Sequence, residues 1–284
     1  MHACNPTAGP VRVCRADVDR ALYNTMRIRF ELGLFDAKRS SPYWRLGEDD
    51  IGSDASKALN YEAAAKSLVL LRNPGVLPLK PGLRIAVIGP HGNASDHLIQ
   101  IDTGDICPVN GQMPTPPPNP GHVPHAAWSA NCVQSPFQAI QAHNSKGTTT
   151  YTQGCNLFLP SSGGFDAAVA AAKAADVVVL GLGIAERAPK GDKVSGGDLY
   201  LEHEVHDRTS IDLPPVQKNL ISRVMAVGKP VVIFYLNAGS VGIPDEVLAS
   251  DKVALIEAFY PGMEGGRAIA DAIFGTSNRW GKLP

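Results

Sequence analysis

From residue 83 onward, short continuous apolar runs alternate with stretches that are apolar on one face only. Residues 83–89, 176–183, 230–236 and 253–260 are rich in Val, Ile and Leu, and each is bounded by Gly, Pro or charge. Such runs predict strands buried on both faces. Residues 148–152 predict a further strand. Between them, residues 135–143, 165–175, 214–227 and 264–274 predict helices. The alanine-rich stretch 165–175 has high intrinsic helix propensity. Pro214 and Pro215 open the helix that follows the central strand, and Gly228 closes it. Strands that alternate with helices predict a parallel sheet covered on both faces.

The first part of the chain reads differently. Val18, Ala21, Leu22, Thr25, Met26 and Phe30 fall three and four apart, which predicts a helix over residues 15–33. Asp17 favours its start and Gly33 its stop. No earlier element can cover its apolar face, so residues 15–33 are expected to expose it. Residues 36–53 read as an irregular connector. A second helix is expected over 54–72, ended by Asn73-Pro74-Gly75. In residues 99–132, Pro114, Pro116, Pro117, Pro118 and Pro120 exclude helix and central strand, which predicts a surface excursion.

Composition narrows the function classes. The 284-residue chain has a formal net charge of -1. That balance gives no electrostatic case for nucleic acid or an anionic membrane. No apolar run reaches membrane-spanning length. The start, Met1-His2-Ala3-Cys4-Asn5-Pro6, lacks the apolar core of a signal peptide. Cys4, Cys14, Cys107, Cys132 and Cys155 show no metal-ligand spacing, and the odd count leaves at least one unpaired within the chain. Small buried thiols and one disulfide are equally open readings. No cofactor or metal is expected.

Candidate chemistry concentrates after the run 176–183. Gly181-Leu182-Gly183 invites a dinucleotide-binding reading, but Glu186 stands where the third glycine belongs and a long loop replaces the helix start. Gly89-Pro90-His91-Gly92 fails the phosphate-loop pattern. The polar loop 184–215 leaves the carboxyl end of a central strand, where ligands bind in open α/β sheets. Its last third carries Glu202, His203, Glu204, Asp207 and Arg208, and Asp207-Arg208 can form an ion pair at the loop's base.

Glu202-x-Glu204-x-x-Asp207-Arg208, followed by Leu213-Pro214-x-x-Gln217, resembles the second-domain signature of glycoside hydrolase family 3. The similarity is closest to its β-xylosidase and α-arabinofuranosidase branch. Other segments resemble the family in the same order. Residues 16–21 with 32–36 are similar to the end of its first domain. Residues 64–73 and Leu77-Pro78-Leu79 are similar to the entry to its second. Residues 85–90 and Tyr260-Pro261-Gly262-x-Glu264-Gly265-Gly266 complete the set.

The resemblance implies an α/β fold with a mostly parallel sheet flanked by helices, the family's second-domain sandwich. A remnant helix of a missing (β/α)8 barrel would precede it. The implied divisions are 1–36 for the end of the barrel, 37–60 for a linker and 61–284 for the sandwich. It further implies a retaining glycosidase acting on β-xylosides or other β-glycosides, outside the cell, with an aspartate nucleophile on the barrel. The acid/base would be Glu202 as first choice and Glu204 as second, with Asp207 and Arg208 as loop anchors. No stretch of the chain matches the family's nucleophile motif, and residues 185–200 add a piece before the glutamates. The chain alone is therefore expected to be inactive, a fragment of a larger enzyme. The alternative is a non-catalytic family 3 fragment with at most sugar binding. A disulfide between Cys107 and Cys132, bracketing the proline-rich excursion, would fit a secreted enzyme.

Overall fold

The structure, a computed structural model, describes residues 14–37, 40–47, 50, 52–99, 132–159, 164–185, 202 and 208–284. It divides into two units, Met1–Ser56 and Lys57–Pro284. The first holds α1 (Arg15–Glu31) and a 3-10 turn at Pro42–Arg45 within the expected connector. The Asp17 carboxylate accepts the Cys14 N–H at 3.1 Å, and Gly33 takes φ +71° beyond the helix end. The helix buries none of its residues, and Leu22 and Phe30 are 58% and 62% exposed.

The helix α2 (Asp54–Ser67) runs into the second unit. There follow β1 (Val69–Arg72), β2 (Arg84–Ile88), α3 (Pro136–His143), β3 (Thr148–Thr152), α4 (Phe165–Ala174) and β4 (Val177–Gly183). After the polar loop come α5 (Pro215–Met225), β5 (Val231–Leu236), α6 (Asp245–Ala249), β6 (Val253–Glu257) and α7 (Gly265–Phe274). The six strands lie in the order β1-β6-β5-β4-β2-β3. β1 pairs antiparallel with β6, and every other pairing is parallel.

One expectation fails here. Residues 54–72 are not a single helix, because α2 stops at Ser67 and residues 69–72 become an edge strand. Four apolar or long residues satisfy either pattern locally, and the free edge of β6 decides the matter through hydrogen bonds to residues far along the chain. The short helix α6 and the 3-10 turn Asp96–Leu98 also carry too little periodicity to be read from sequence.

The strands alternate their side chains between two apolar layers. Val177 and Val179 of β4 join Phe234, Ile256, Ile140 and Ile269 on one side. Val178, Leu180 and Leu182 join Ile233, Leu220 and Val224 on the other. So α3 and α7 cover one face and α4 and α5 the opposite one, and all seven residues of β4 are buried. Cys14 and Cys132 each take part in a disulfide, whereas Cys155 is a buried free thiol whose pKa burial pushes up to about 12. The proline-rich excursion and Cys107 lie outside the described residues.

Candidate functional site

The strand order reverses between β2 and β4, the place where open α/β sheets bind nucleotides. Here main chain fills it. A Cβ at Gly89 would stand 2.3 Å from the Gly181 carbonyl oxygen, and one at Gly181 would stand 2.6 Å from Phe234. The His91 N–H donates to that same Gly181 carbonyl at 3.1 Å. The His91 ring is buried, with its Nδ1 2.9 Å from Nδ1 of His97, and burial holds its pKa well below the usual imidazole range. The glycines are thus demanded by close packing, and among the described residues no cradle for phosphate remains.

Gln217 explains how the polar loop leaves the sheet. Its side chain is fully buried on α5. Nε2 donates to the Gly183 carbonyl at 2.7 Å and to the Leu157 carbonyl at 2.9 Å, while Oε1 accepts the Gly183 N–H at 2.9 Å. The pairing of β4 with β2 ends at Leu180, and on Gly183 this amide stands in for it.

The chemistry-bearing cluster lies over the carboxyl ends of β5 and β6. The Glu202 carboxylate accepts the Ala238 N–H at 2.8 and 3.0 Å on its two oxygens, together with the Gly239 N–H. Ala238 and Gly239 form the turn that follows β5. From beyond β6, the Tyr260 hydroxyl donates to the same carboxylate, and it also lies 3.1 Å from the Ile184 carbonyl at the exit of β4. Glu202 therefore draws together chain from three strand ends. Arg208 closes the other side by donating to the Ser240 carbonyl at 2.7 Å, and its Nη1 is buried without a hydrogen-bond partner among the described residues. Gly239 must be small there, since a Cβ would lie 2.8 Å from Arg208 Nη2 and 3.2 Å from Glu202 Oε1.

Beneath this cage lies a second carboxylate. Glu257, the last residue of β6, is buried, and burial raises its pKa to about 7. Donors from Phe259, Asn237 and Ala258 oppose the rise, and the Glu202 charge adds to it. Phe259 takes the left-handed value φ +51°, and its N–H donates to Glu257 at 3.1 Å. Such strain persists where surrounding contacts over-determine the backbone. Tyr235 Oη and Asn237 Oδ1 are buried nearby in sequence without hydrogen-bond partners among the described residues.

Of the residues expected at the site, the structure brings Glu202 and Arg208 to the same turn, 238–240. Glu204, His203 and Asp207 lie outside the described residues, and with them the expected Asp207–Arg208 ion pair. Sequence reasoning missed Glu257, Asn237 and the role of Tyr260. Tyr260 stood in a quoted motif, but nothing in the motif says what its hydroxyl meets.

Comparisons with known proteins agree with this architecture. Residues 68–284 match the model of the glycosyl hydrolase family 3 C-terminal domain. The chain is 33% identical over 268 residues to a probable exo-1,4-beta-xylosidase of Neosartorya fischeri, a match covering 94% of this chain and 30% of that protein. It is 33% identical over 273 residues to beta-D-xylosidase 1 of Arabidopsis thaliana, with the same coverage of 94% and 30%. Among solved structures, an exo-beta-xylosidase of glycoside hydrolase family 3 in complex with a xylobiose aziridine probe matches with a TM-score of 0.67 and 30% identity, over 93% of this chain and 29% of that one. A beta-glucosidase from Listeria innocua in complex with glucose matches with a TM-score of 0.67 and 25% identity, over 93% and 31%. The chain spans about 30% of the length of the relatives it matches.

Proposed function

This chain belongs to glycoside hydrolase family 3, and we propose that it is the second domain of a retaining β-xylosidase whose polar loop supplies the general acid/base. The single observation that carries this reading is the acidic end of that loop, held over the carboxyl edge of the sheet at Glu202 and Arg208. The relatives described as xylosidases support xylosides as substrates, and a role in xylan breakdown outside the cell is part of the same proposal. Residues 1–36 are read as the end of a catalytic (β/α)8 barrel, 37–60 as a linker and 61–284 as the sandwich.

A retaining glycosidase needs two carboxyl groups about 5 to 5.5 Å apart across the scissile bond. One attacks the anomeric carbon while the other protonates the departing oxygen, and the second then takes a proton from water. On this reading the nucleophile belongs to the barrel, and this chain supplies the proton. The sequence ranks Glu202 ahead of Glu204 for that task. We place Glu204 first instead, a reading supported by the three donors on Glu202, which occupy its oxygens with amides and a phenol and leave none free to meet a leaving group. We therefore assign the acid/base to Glu204, with Asp207 and Arg208 as loop anchors.

The test joins this chain to the barrel of a family 3 relative. Glu204→Ala should lower turnover of xylobiose by about 10² to 10⁴-fold. It should slow the first step much less with a good phenolate leaving group, and added azide should raise turnover. If Glu204→Ala slows both substrates equally while Glu202→Ala shows the leaving-group dependence, the assignment passes to Glu202. The chain by itself should not hydrolyse aryl β-xylosides, and activity surviving removal of host glycosidases would overturn the two-domain reading.

A further inference from the structure

We infer that Asn93 carries an N-linked glycan, displayed on the exposed turn that follows β2. The inference rests on one part of the reading above, that the enzyme works outside the cell, and on neither its substrate nor its acid/base.

The sequence singles this asparagine out. Attachment needs Asn-x-Ser or Asn-x-Thr with any residue but proline in the middle. The chain holds two such triplets, Asn5-Pro6-Thr7 and Asn93-Ala94-Ser95, and Pro6 disqualifies the first. A pattern this short recurs by chance, so the structure has to supply the rest. It must offer a surface turn, an amide nitrogen open to a bulky group, and a fold that tolerates the product.

Residue 93 meets each condition. The turn 90–93 leaves the carboxyl end of β2, and on it His91 and Gly92 are buried while Asn93 is exposed. Asn93 Oδ1 accepts the hydroxyl of Ser135, the buried N-cap of α3, at 2.6 Å. That contact points the amide oxygen at α3 and leaves Nδ2 with no hydrogen-bond partner among the described residues. Nδ2 is the atom that transfer uses. It bonds to the anomeric carbon of a lipid-linked oligosaccharide diphosphate. The bond from that carbon to the diphosphate oxygen breaks, the lipid diphosphate leaves with the electron pair, and one Nδ2 proton passes to a base of the transferase. The product keeps Oδ1 and one N–H, so the bond from Ser135 survives the modification.

The order of synthesis suits the transfer. In the folded chain both side chains of the triplet are engaged, since the Ser95 hydroxyl donates to the Val133 carbonyl at 2.8 Å. Their partners lie later in the chain, Ser135 by 42 residues and Val133 by 38. Folding proceeds as the chain emerges. The triplet is therefore presented while Asn93 and Ser95 still lack these partners.

The full chain, fused to a secretion leader, is made in a eukaryotic host, and medium and cells are both collected so that a retained chain is read as well. Glycans are released enzymatically in heavy-oxygen water, which turns a glycosylated asparagine into labelled aspartate, and the peptides are mapped by mass. Most copies should be labelled at 93, with a downward gel shift on release. Asn93→Gln and Ser95→Ala should each abolish that shift. Ser95→Ala keeps the Asn93–Ser135 contact, and the parent's own map decides the question if neither variant folds. An unlabelled peptide spanning residue 93 would overturn the inference, as would a shift that persists in both variants. If Asn93 is labelled but the chain joined to a barrel hydrolyses no β-xyloside, the glycan stands and the xylosidase reading falls. If the joined chain is active and Asn93 is unlabelled, only the glycan falls.

Discussion

Gln217 grips Gly183 from both sides of one peptide residue, accepting its N–H at 2.9 Å and donating to its carbonyl at 2.7 Å. The pair lies where β4 ends and the polar loop begins, beyond the last residue of β4 that β2 pairs with, Leu180. Gln217→Leu keeps the volume and removes both contacts, together with the donor to Leu157. Each buried group left unpaired costs about 1 to 3 kcal/mol. We expect a loss of roughly 2 to 4 kcal/mol, read as a lower urea midpoint at unchanged slope. A shift of less than half that would show that water replaces the amide.

Gly183 and Gly228 both have positive φ, +137° and +79°, but their surroundings differ. A Cβ at Gly183 would lie 2.0 Å from the Leu236 carbonyl oxygen, which belongs to the β4–β5 pairing, whereas nothing lies within 4 Å of one at Gly228. Gly228→Ala should cost about 1 kcal/mol of backbone strain. Gly183→Ala should cost at least about 3 kcal/mol, since a backbone carbonyl cannot move aside without breaking the ladder. Comparable thermal midpoints for the two variants would refute this.

Glu257 makes stability depend on pH. Burial raises its folded pKa to about 7 from an ordinary value of 4.5, so the native state holds a proton that the unfolded chain releases. The stabilising contribution is complete below about pH 4 and is lost as pH rises through about 7. The difference corresponds to about 3 kcal/mol across that window. The groups that act on Glu257 are the Glu202 carboxylate and the Phe259, Asn237 and Ala258 donors. Glu257→Gln should match the parent at pH 4.5 and exceed it in stability at pH 8. Urea unfolding at the two pH values checks the sign, and parallel pH profiles would refute it.

Asp271 ties three elements together. Its carboxylate accepts His143 Nε2 from α3 at 2.9 Å, the Tyr61 hydroxyl from α2 at 2.7 Å, and the Thr276 hydroxyl. Burial pushes the carboxyl up, but these hydrogen bonds outweigh it and hold the pKa below its ordinary value. Asp271→Ala leaves a partly buried phenol and imidazole without their acceptor, which should cost about 3 kcal/mol. Asp271→Asn keeps an acceptor and should lose about half as much. Tyr61→Phe combined with Asp271→Ala should be less than additive, and full additivity would show that the contact contributes nothing.

The sequence by itself determined the layered α/β plan. β2, β4, β5 and β6 are buried on both faces, so their apolar runs are continuous and stand out from their surroundings. α3 begins at the expected serine, and its Ser135 hydroxyl accepts the Gln138 N–H at 3.2 Å. These features depend on neighbours within a turn or a strand, and local composition records them. The ordered motifs also pointed to the family, because they report inheritance without any knowledge of contacts.

Only the tertiary structure decided what the polar groups meet. Residues 69–72 became a strand because β6 offered an edge some 185 residues downstream, a partner that no local window contains. Glu202 and Glu204 are the same residue type two positions apart, and the pattern alone could only rank them by alignment. Glu202 accepts from Ala238, Gly239 and Tyr260, which lie 36, 37 and 58 residues away, and no local pattern announces those partners. Two of those donors are main-chain amides. Every residue but proline carries one, so no side-chain pattern can announce that the fold has aimed two of them at a carboxylate.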